Sequence, residues 1–254
     1  TRRSSDLRLL AQGLHVHFAH RTFRWSNEGK GVAAVHCVIV GFGFFAPSNY
    51  TILDYSEDIA GEPTRIAALQ INPYLVDAPN EILMPKTTPI CNVPNMINGS
   101  IPADGGNLIL TAEEVVDFLQ KEPDAINFVR PYLGADGFIN NVVRHCLWLV
   151  DCAPNQLRAM PTVLARVQMV AKMREASTKA ATRAKAAMPM LFTENRQPKT
   201  GEYLAIPRTS SESRKFLPIG YLDANIIAAN DLQIVPSATL YHFGVLCSSA
   251  HNAW

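Results

Sequence analysis

Residues 203–222 read YLAIPRTSSESRKFLPIGYL. Two short apolar runs, residues 203–206 and 216–219, enclose a centre made almost wholly of hydrogen-bonding side chains. Strand-length apolar runs joined by a polar, Ser-rich connection predict a β-hairpin. Arg208, Thr209, Ser210, Ser211, Glu212, Ser213, Arg214 and Lys215 place forked donors, hydroxyls and one carboxylate at consecutive positions. These groups suit base edges and phosphates: Arg pairs bidentately with guanine, Ser and Thr with either partner, and Glu with the cytosine amine. A solvated turn has the same composition, because polar loops between strands are the default. What decides between the two lies elsewhere in the chain.

The segment before the hairpin is the clearest local charge anomaly. Val163, Val167, Val170 and Met173 follow helical spacing, and Ala180, Ala181 and Ala184 extend a small-residue face. This pattern predicts one long helix over residues 154–188, kinked near Pro161. Arg158, Arg166, Lys172, Arg174, Lys179, Arg183 and Lys185 on it face one acid, Glu175. A basic stripe on a near-neutral chain neutralises phosphates and supplies the sequence-independent part of DNA affinity. A solvated helix face is the alternative. The candidate phosphate contacts are Arg166, Lys172, Arg174, Lys179, Arg183 and Lys185, with Arg196 and Lys199 just beyond.

Working back to the start, residues 16–25 (VHFAHRTFRW) alternate in the manner of a half-buried strand, and residues 33–42 (AAVHCVIVGF) form a more continuous apolar one. They predict an antiparallel hairpin whose second strand is the more buried. Strand signals thin out over residues 47–69, which read as a linker with one short strand near residues 52–55. Residues 71–106 are too rich in Pro for a helix or a central strand, and read as a long ordered loop. Thr111 and Glu114 form a capping-box signature for a short helix. Residues 126–133, 138–139, 142–150, 232–235 and 239–246 read as strands, with a final helix from about Ser248. The expected class is α+β: antiparallel strands with one long basic helix, plus the terminal hairpin.

With 254 residues the chain buries a full core, and 48% hydrophobic with 18% charged residues is ordinary globular usage. A net charge of +1 requires any nucleic-acid footprint to be local. Cys37, Cys91, Cys146, Cys152 and Cys247 form no CxxC pair, which points to a reducing, cytoplasmic setting. No stretch reaches the length of a membrane span, and no metal site or signal peptide is expected. The chain opens without Met and stops at AHNAW inside a helical pattern, so a longer parent is expected.

Two motifs imitate a complete methyltransferase. Gly41-Phe42-Gly43 after an apolar strand resembles a glycine-rich cofactor turn, and Asn72-Pro73-Tyr74 resembles the N-P-P-Y motif of adenine methyltransferases. No helix pattern follows the first to present an N-terminus, and the second lacks a proline. The interval between them is also too short for the crossovers of a nucleotide-binding fold. His15, His17, His20 and His36 have no carboxylate at metal-ligand spacing. No catalytic residue is assigned.

Several long stretches nonetheless resemble one family, the MmeI-like (type IIL) restriction–modification enzymes and their adenine-specific DNA methyltransferase relatives. FAHRTFRWSNEGKGVAAVHCVIVGF resembles the closing strands of their methyltransferase domain. INPYLVDAP, DGGNLILT, EPDAINFVRPYLGADGFIN, CLWLVD, IPRTSSESRKFLPIGYL and ATLYHFGVLCSSAHNAW resemble their target recognition domain, in family order. The resemblance implies that residues 1–46 end a methyltransferase domain, 47–69 link, and 70–254 recognise DNA. It implies a full-length enzyme that moves a methyl group from S-adenosylmethionine to adenine N6, with cofactor and N-P-P-Y motifs outside this chain. Its implied partners are double-stranded DNA and the rest of the methyltransferase domain, with no membrane. Base-readout candidates are Arg208, Ser210, Ser211, Glu212, Arg214 and Lys215. A methylated base must leave the stack, and Phe18, His20, Arg21, Phe23 and Trp25 are the residues implied to lie near it. A non-catalytic DNA-specificity or phage-defence module is the alternative.

Overall fold

The computed structural model describes residues 12–26, 34–81, 86–211, 214 and 216–253. They form an α+β fold in two compact units, Thr1–Thr88 and Pro89–Trp254.

The first unit is one mixed sheet in the order β2-β1-β3-β4. β1 (His15–Ser26) and β2 (Ala34–Gly43) form the expected antiparallel hairpin. β3 (Tyr50–Asp54) adds in parallel to β1, and β4 (Thr64–Ala68) antiparallel to β3. Residues 47–69, expected as a linker with one short strand, therefore contribute two strands to this sheet. The expected burial order of the hairpin is reversed. β1 is interior and β2 is the edge, so Val35, Val38, Ile39 and Phe42 are 44–58% exposed. Two register shifts in β1, between Val16 and Phe18 and between His20 and Phe23, break its strict alternation. Val16 and Ala19 are buried in one cluster while Phe18 is turned out, because the first bulge moves the following side chains across the sheet; Phe23, beyond the second, is buried against Tyr55.

The second unit carries two four-stranded sheets. One runs β10-β9-β12-β5 and the other β11-β7-β8-β6. The first contains β5 (Ile97–Asn98), β9 (Glu202–Pro207), β10 (Gly220–Asp223) and β12 (Leu232–Pro236). The second contains β6 (Ile109–Leu110), β7 (Val129–Leu133), β8 (Arg144–Leu147) and β11 (Ile227–Ala228). The 203–222 stretch does end in an antiparallel pair, but the second strand is Gly220–Asp223 rather than the expected run 216–219, with Gly220 opposite Ala205 and Leu222 opposite Tyr203. Helix α1 (Ala112–Lys121) starts at the expected capping box: Thr111 Oγ1 accepts from Glu114 N–H, and the Glu114 carboxylate accepts from Thr111 N–H.

Four further expectations for this unit are corrected. Residues 126–128 lie in a short 3-10 helix, Pro123–Phe128, so the strand expected over 126–133 begins only at Val129. Residues 138–139 belong to helix α2 (Ala135–Asn140), whose first turn is capped by the Asp231 carboxylate accepting from Ala135 N–H at 3.0 Å. The long helix is broken into α3 (Pro154–Ala159), α4 (Pro161–Glu175) and α5 (Ala180–Ala184). Pro161 has no N–H to continue α3 and instead occupies the first position of α4, where Thr162 N–H donates to the buried Glu122 carboxylate. Residues 239–246 are not a strand: helix α6 (Leu240–Leu246) begins at Thr239, whose N–H donates to His242 Nδ1. Phe243 and Leu246 pack beneath it on Leu204, Ile206 and Val235. The final helix α7 (Ser249–Ala253) is as expected.

The largest core cluster joins β6, α1, β7, β8 and α4 through Leu110, Phe118, Tyr132, Leu147, Val163 and Val170. Between the sheets, Ser100 N–H donates to Ala228 O and its hydroxyl accepts from Arg196 N–H, so residues 99–101 act as a seam. A Cβ on Gly99 would stand 2.1 Å from Ala229 O and 2.6 Å from Ala228 O. Gly99→Ala is expected to cost about 2–3 kcal/mol, since backbone rather than a rotatable side chain must yield. A lowered urea midpoint with an unchanged slope is the measurement.

Candidate nucleic-acid interface

The support of the site is β9. Tyr203, Leu204, Ala205, Ile206 and Pro207 are all buried, because the strand lies between β10 and β12 with core on both faces. Tyr203 and Ala205 join Leu232 and Ile234, while Leu204 and Ile206 join Val235. The Tyr203 hydroxyl donates to Ile226 O at 2.6 Å, and burial pushes the phenol up to about 12. A strand so enclosed is a rigid platform.

The chain leaves this platform at Arg208. From there Arg208, Thr209, Ser210, Ser211 and Arg214 are exposed, and Arg214 N–H donates to Ser211 O at 3.1 Å. Glu212, Ser213 and Lys215 lie outside the described residues. Both ends of the connection are pinned. Arg208 N–H donates to Asp231 O at 3.0 Å, and Leu217 N–H donates to Asn252 Oδ1 at 2.9 Å.

The basic candidates separate into two groups. Lys172, Lys179, Lys185 and Lys199 are exposed. Arg183 is exposed too, but donates to Ser177 O and Thr178 O at 2.7 and 2.9 Å, across the break between α4 and α5. Arg166 is half-buried, donating to Asn107 O at 3.0 Å with its guanidinium 5.5 Å from the Phe118 ring centre. Arg196 is paired with Glu194. Arg174 requires a correction, because it is 0% exposed and cannot meet a phosphate. It follows Val163, Val167 and Val170 on the buried face of α4. Its guanidinium donates to Pro102 O, Ala103 O, Lys185 O, Met188 O and Leu191 O at 2.8–3.1 Å. Burial pulls its pKa down and the Asp104 carboxylate pulls it back up. The spacing 163-167-170-174 was the available signal, with Arg174 rather than Met173 in the last core position.

In the first unit the candidates near a flipped base are also divided. Phe18 and Trp25 are 41% and 52% exposed. Phe23 is 8% exposed and stacks on Tyr55 at 5.1 Å, so it is a core residue. His20 Nδ1 is 2.7 Å from the Tyr55 hydroxyl. Arg21 bridges Asp54 at 3.0 Å and donates to Leu75 O at 3.0 Å. That bond ties the Asn72-Pro73-Tyr74 loop to β1. Asn72 is buried, its Oδ1 accepting from Tyr74 N–H at 2.9 Å and Val76 N–H at 3.3 Å. An amide oxygen engaged in an Asx turn is holding its own loop. Among the described residues no group of His, Cys, Asp and Glu could hold a metal.

The family model of the MmeI target recognition domain matches residues 77–254, and that of the MmeI DNA-methyltransferase domain matches residues 7–54. The chain belongs to the MmeI family. A solved MmeI, described as a type IIL restriction–modification enzyme in complex with DNA, has a TM-score of 0.92 and 45% identity. That match covers 100% of this chain and 34% of the solved one. DNA methyltransferase A of Bacillus subtilis (strain 168) is 32% identical over 242 residues, which is 95% of this chain and 27% of that protein. The chain thus spans about a third or less of these relatives. The hairpin connection and the basic segment fall in the stretch matched by the target recognition domain, and the β1–β2 hairpin in the stretch matched by the methyltransferase domain.

Proposed function

We propose that this chain is the DNA-recognising part of a site-specific adenine-N6 DNA methyltransferase that uses S-adenosylmethionine. The carrying observation is the exposed Arg208–Ser211 run and Arg214, projected from a fully buried strand within a target recognition domain. Arg208, Ser210, Ser211 and Arg214 read base edges in the major groove, with Glu212 and Lys215 added on sequence grounds. Lys172, Lys179, Lys185 and Lys199, with the outward donors of Arg183, hold phosphates. Arg166 and Arg196 already serve carbonyls and Glu194, so they are secondary. Residues 1–46 act as the end of the methyltransferase domain and residues 70–254 as the recognition part. Phe18 and Trp25 are the first-unit side chains proposed to meet a displaced base, because they are exposed while Phe23 is buried.

The edge strand β2 supports the existence of a covering domain. Among the described residues β2 pairs on one side only, and it exposes Val35, Val38, Ile39 and Phe42, apolar surface that soluble proteins ordinarily cover. The rest of the methyltransferase domain is the proposed cover and brings the cofactor site, so the isolated chain is inactive. No helix among the described residues is long and apolar enough to cross a membrane, and a cytoplasmic enzyme is the setting proposed.

The test is DNA binding and site choice. The isolated chain is expected to bind duplex DNA with an affinity that falls steeply with salt. Arg208→Ala and Arg214→Ala are each expected to relax one base position by about 1–3 kcal/mol per lost bidentate contact. Methylation mapped across a random library reads this. Uniform weakening at all sites would instead assign the residue to a phosphate.

A further inference from the structure

Asn252 on α7 lies far from the polar connection in sequence, yet its side chain is the connection's second pin. Its Oδ1 accepts from Leu217 N–H at 2.9 Å. Its Nδ2 donates to Cys247 O at 3.2 Å and Ser248 O at 2.8 Å. The amide is therefore oriented by the junction of α6 and α7, with its oxygen fixed outward as an acceptor. That junction is itself seated on the platform, because Phe243 and Leu246 of α6 pack on Leu204 and Ile206 of β9. The first pin, Arg208 N–H on Asp231 O, belongs to the same sheet through β12. The two ends of the connection thus share one frame.

We propose that Asn252 is a specificity-positioning residue: it touches no base, but sets the height and angle at which residues 208–217 meet the groove. This rests on the reading of that connection as the base reader. The physical argument concerns tolerance. Bidentate contacts to a base edge need both donors within a few tenths of an ångström, whereas a lysine on a phosphate tolerates movement. Freeing Leu217 N–H releases that end of the connection, with Arg208 still held at the other. Sequence discrimination is then lost and general DNA affinity kept.

The experiment uses the full-length protein that carries this chain, and duplex DNA with a randomised central segment. The duplex preferred by the unsubstituted protein is selected, and its Kd is compared with those of its single-base-pair substitutions and of an unrelated duplex. Asn252→Ala is expected to reduce discrimination at least tenfold, with affinity for the unrelated duplex and the salt slope within twofold of the unsubstituted protein. Equal weakening on all duplexes, or unchanged discrimination, overturns the proposal. If Asn252→Ala does not fold, Asn252→Asp decides, because its carboxylate loses the two donors that orient the amide and faces the Cys247 and Ser248 carbonyls instead. Lost discrimination at retained general affinity then supports the pin, and unchanged discrimination or equal weakening on all duplexes overturns it. Failure of the unsubstituted protein to select any duplex removes the base-reader reading itself, whatever the variants do.

Discussion

Arg174→Met is expected to destabilise the second unit by about 4–5 kcal/mol, enough to leave it largely unfolded at moderate temperature. The substituted side chain fits the volume of the stem, so the cost is not a cavity. It is the backbone carbonyls of residues 102, 103 and 191, which lose the guanidinium's donors, while those of residues 185 and 188 keep the N–H groups of Met188 and Leu191. Each such acceptor costs about 1–3 kcal/mol when orphaned, with relaxation and non-additivity bringing the total below the sum. Arg174→Lys separates charge from geometry. Lys keeps the cation but gathers its three donors on one nitrogen, so it cannot span the carbonyls that the guanidinium fork reaches from separate nitrogens. An intermediate loss is expected, read as the urea midpoint by circular dichroism. If Met and Lys variants both match the unsubstituted protein, the carbonyls find other partners and the clamp is not needed.

Arg174 also shows where sequence reading stops. A charged residue in a basic run reads as solvent-facing, and only its continuation of the 163-167-170 face marks it as core. The helix breaks were hidden for a related reason: Pro161 suits either a kink inside one helix or the first residue of another. Residues 239–246 place Leu240, Phe243 and Leu246 at helical spacing and also alternate well enough for a strand. Packing on β9 decides it. In the first unit, the burial order of β1 and β2 depends on β3 pairing with β1, a non-local event that no local pattern announces. The 203–222 hairpin and the capped helix α1 were legible because turn chemistry and capping are local. Within the site, the chemistry of the connection was legible from composition. Its pins were not, since Asp231 and Asn252 act through single bonds to distant backbone.

Replacing Lys172, Lys179 and Lys185 together by Glu is expected to weaken binding to every duplex by about 10²–10³-fold near 0.1 M salt. Each cation that neutralises a phosphate releases about 0.9 of a counterion, so losing three lowers the slope of log K against log salt by about 2.7. The side chains are exposed, and replacing them leaves the Arg174 clamp and the core unchanged, so the fold is expected to survive. Phosphates carry no sequence information, so the ranking of sites is expected to stay as it was. That combination, a large uniform loss with an unchanged preference, is opposite to the outcome for Arg208, Arg214 and Asn252. Fluorescence anisotropy on the preferred duplex and an unrelated one, over a series of salt concentrations, separates them. If the slope is unchanged, these lysines form a solvated surface, and the phosphate grip must be sought among Arg183, Lys199 and the connection itself.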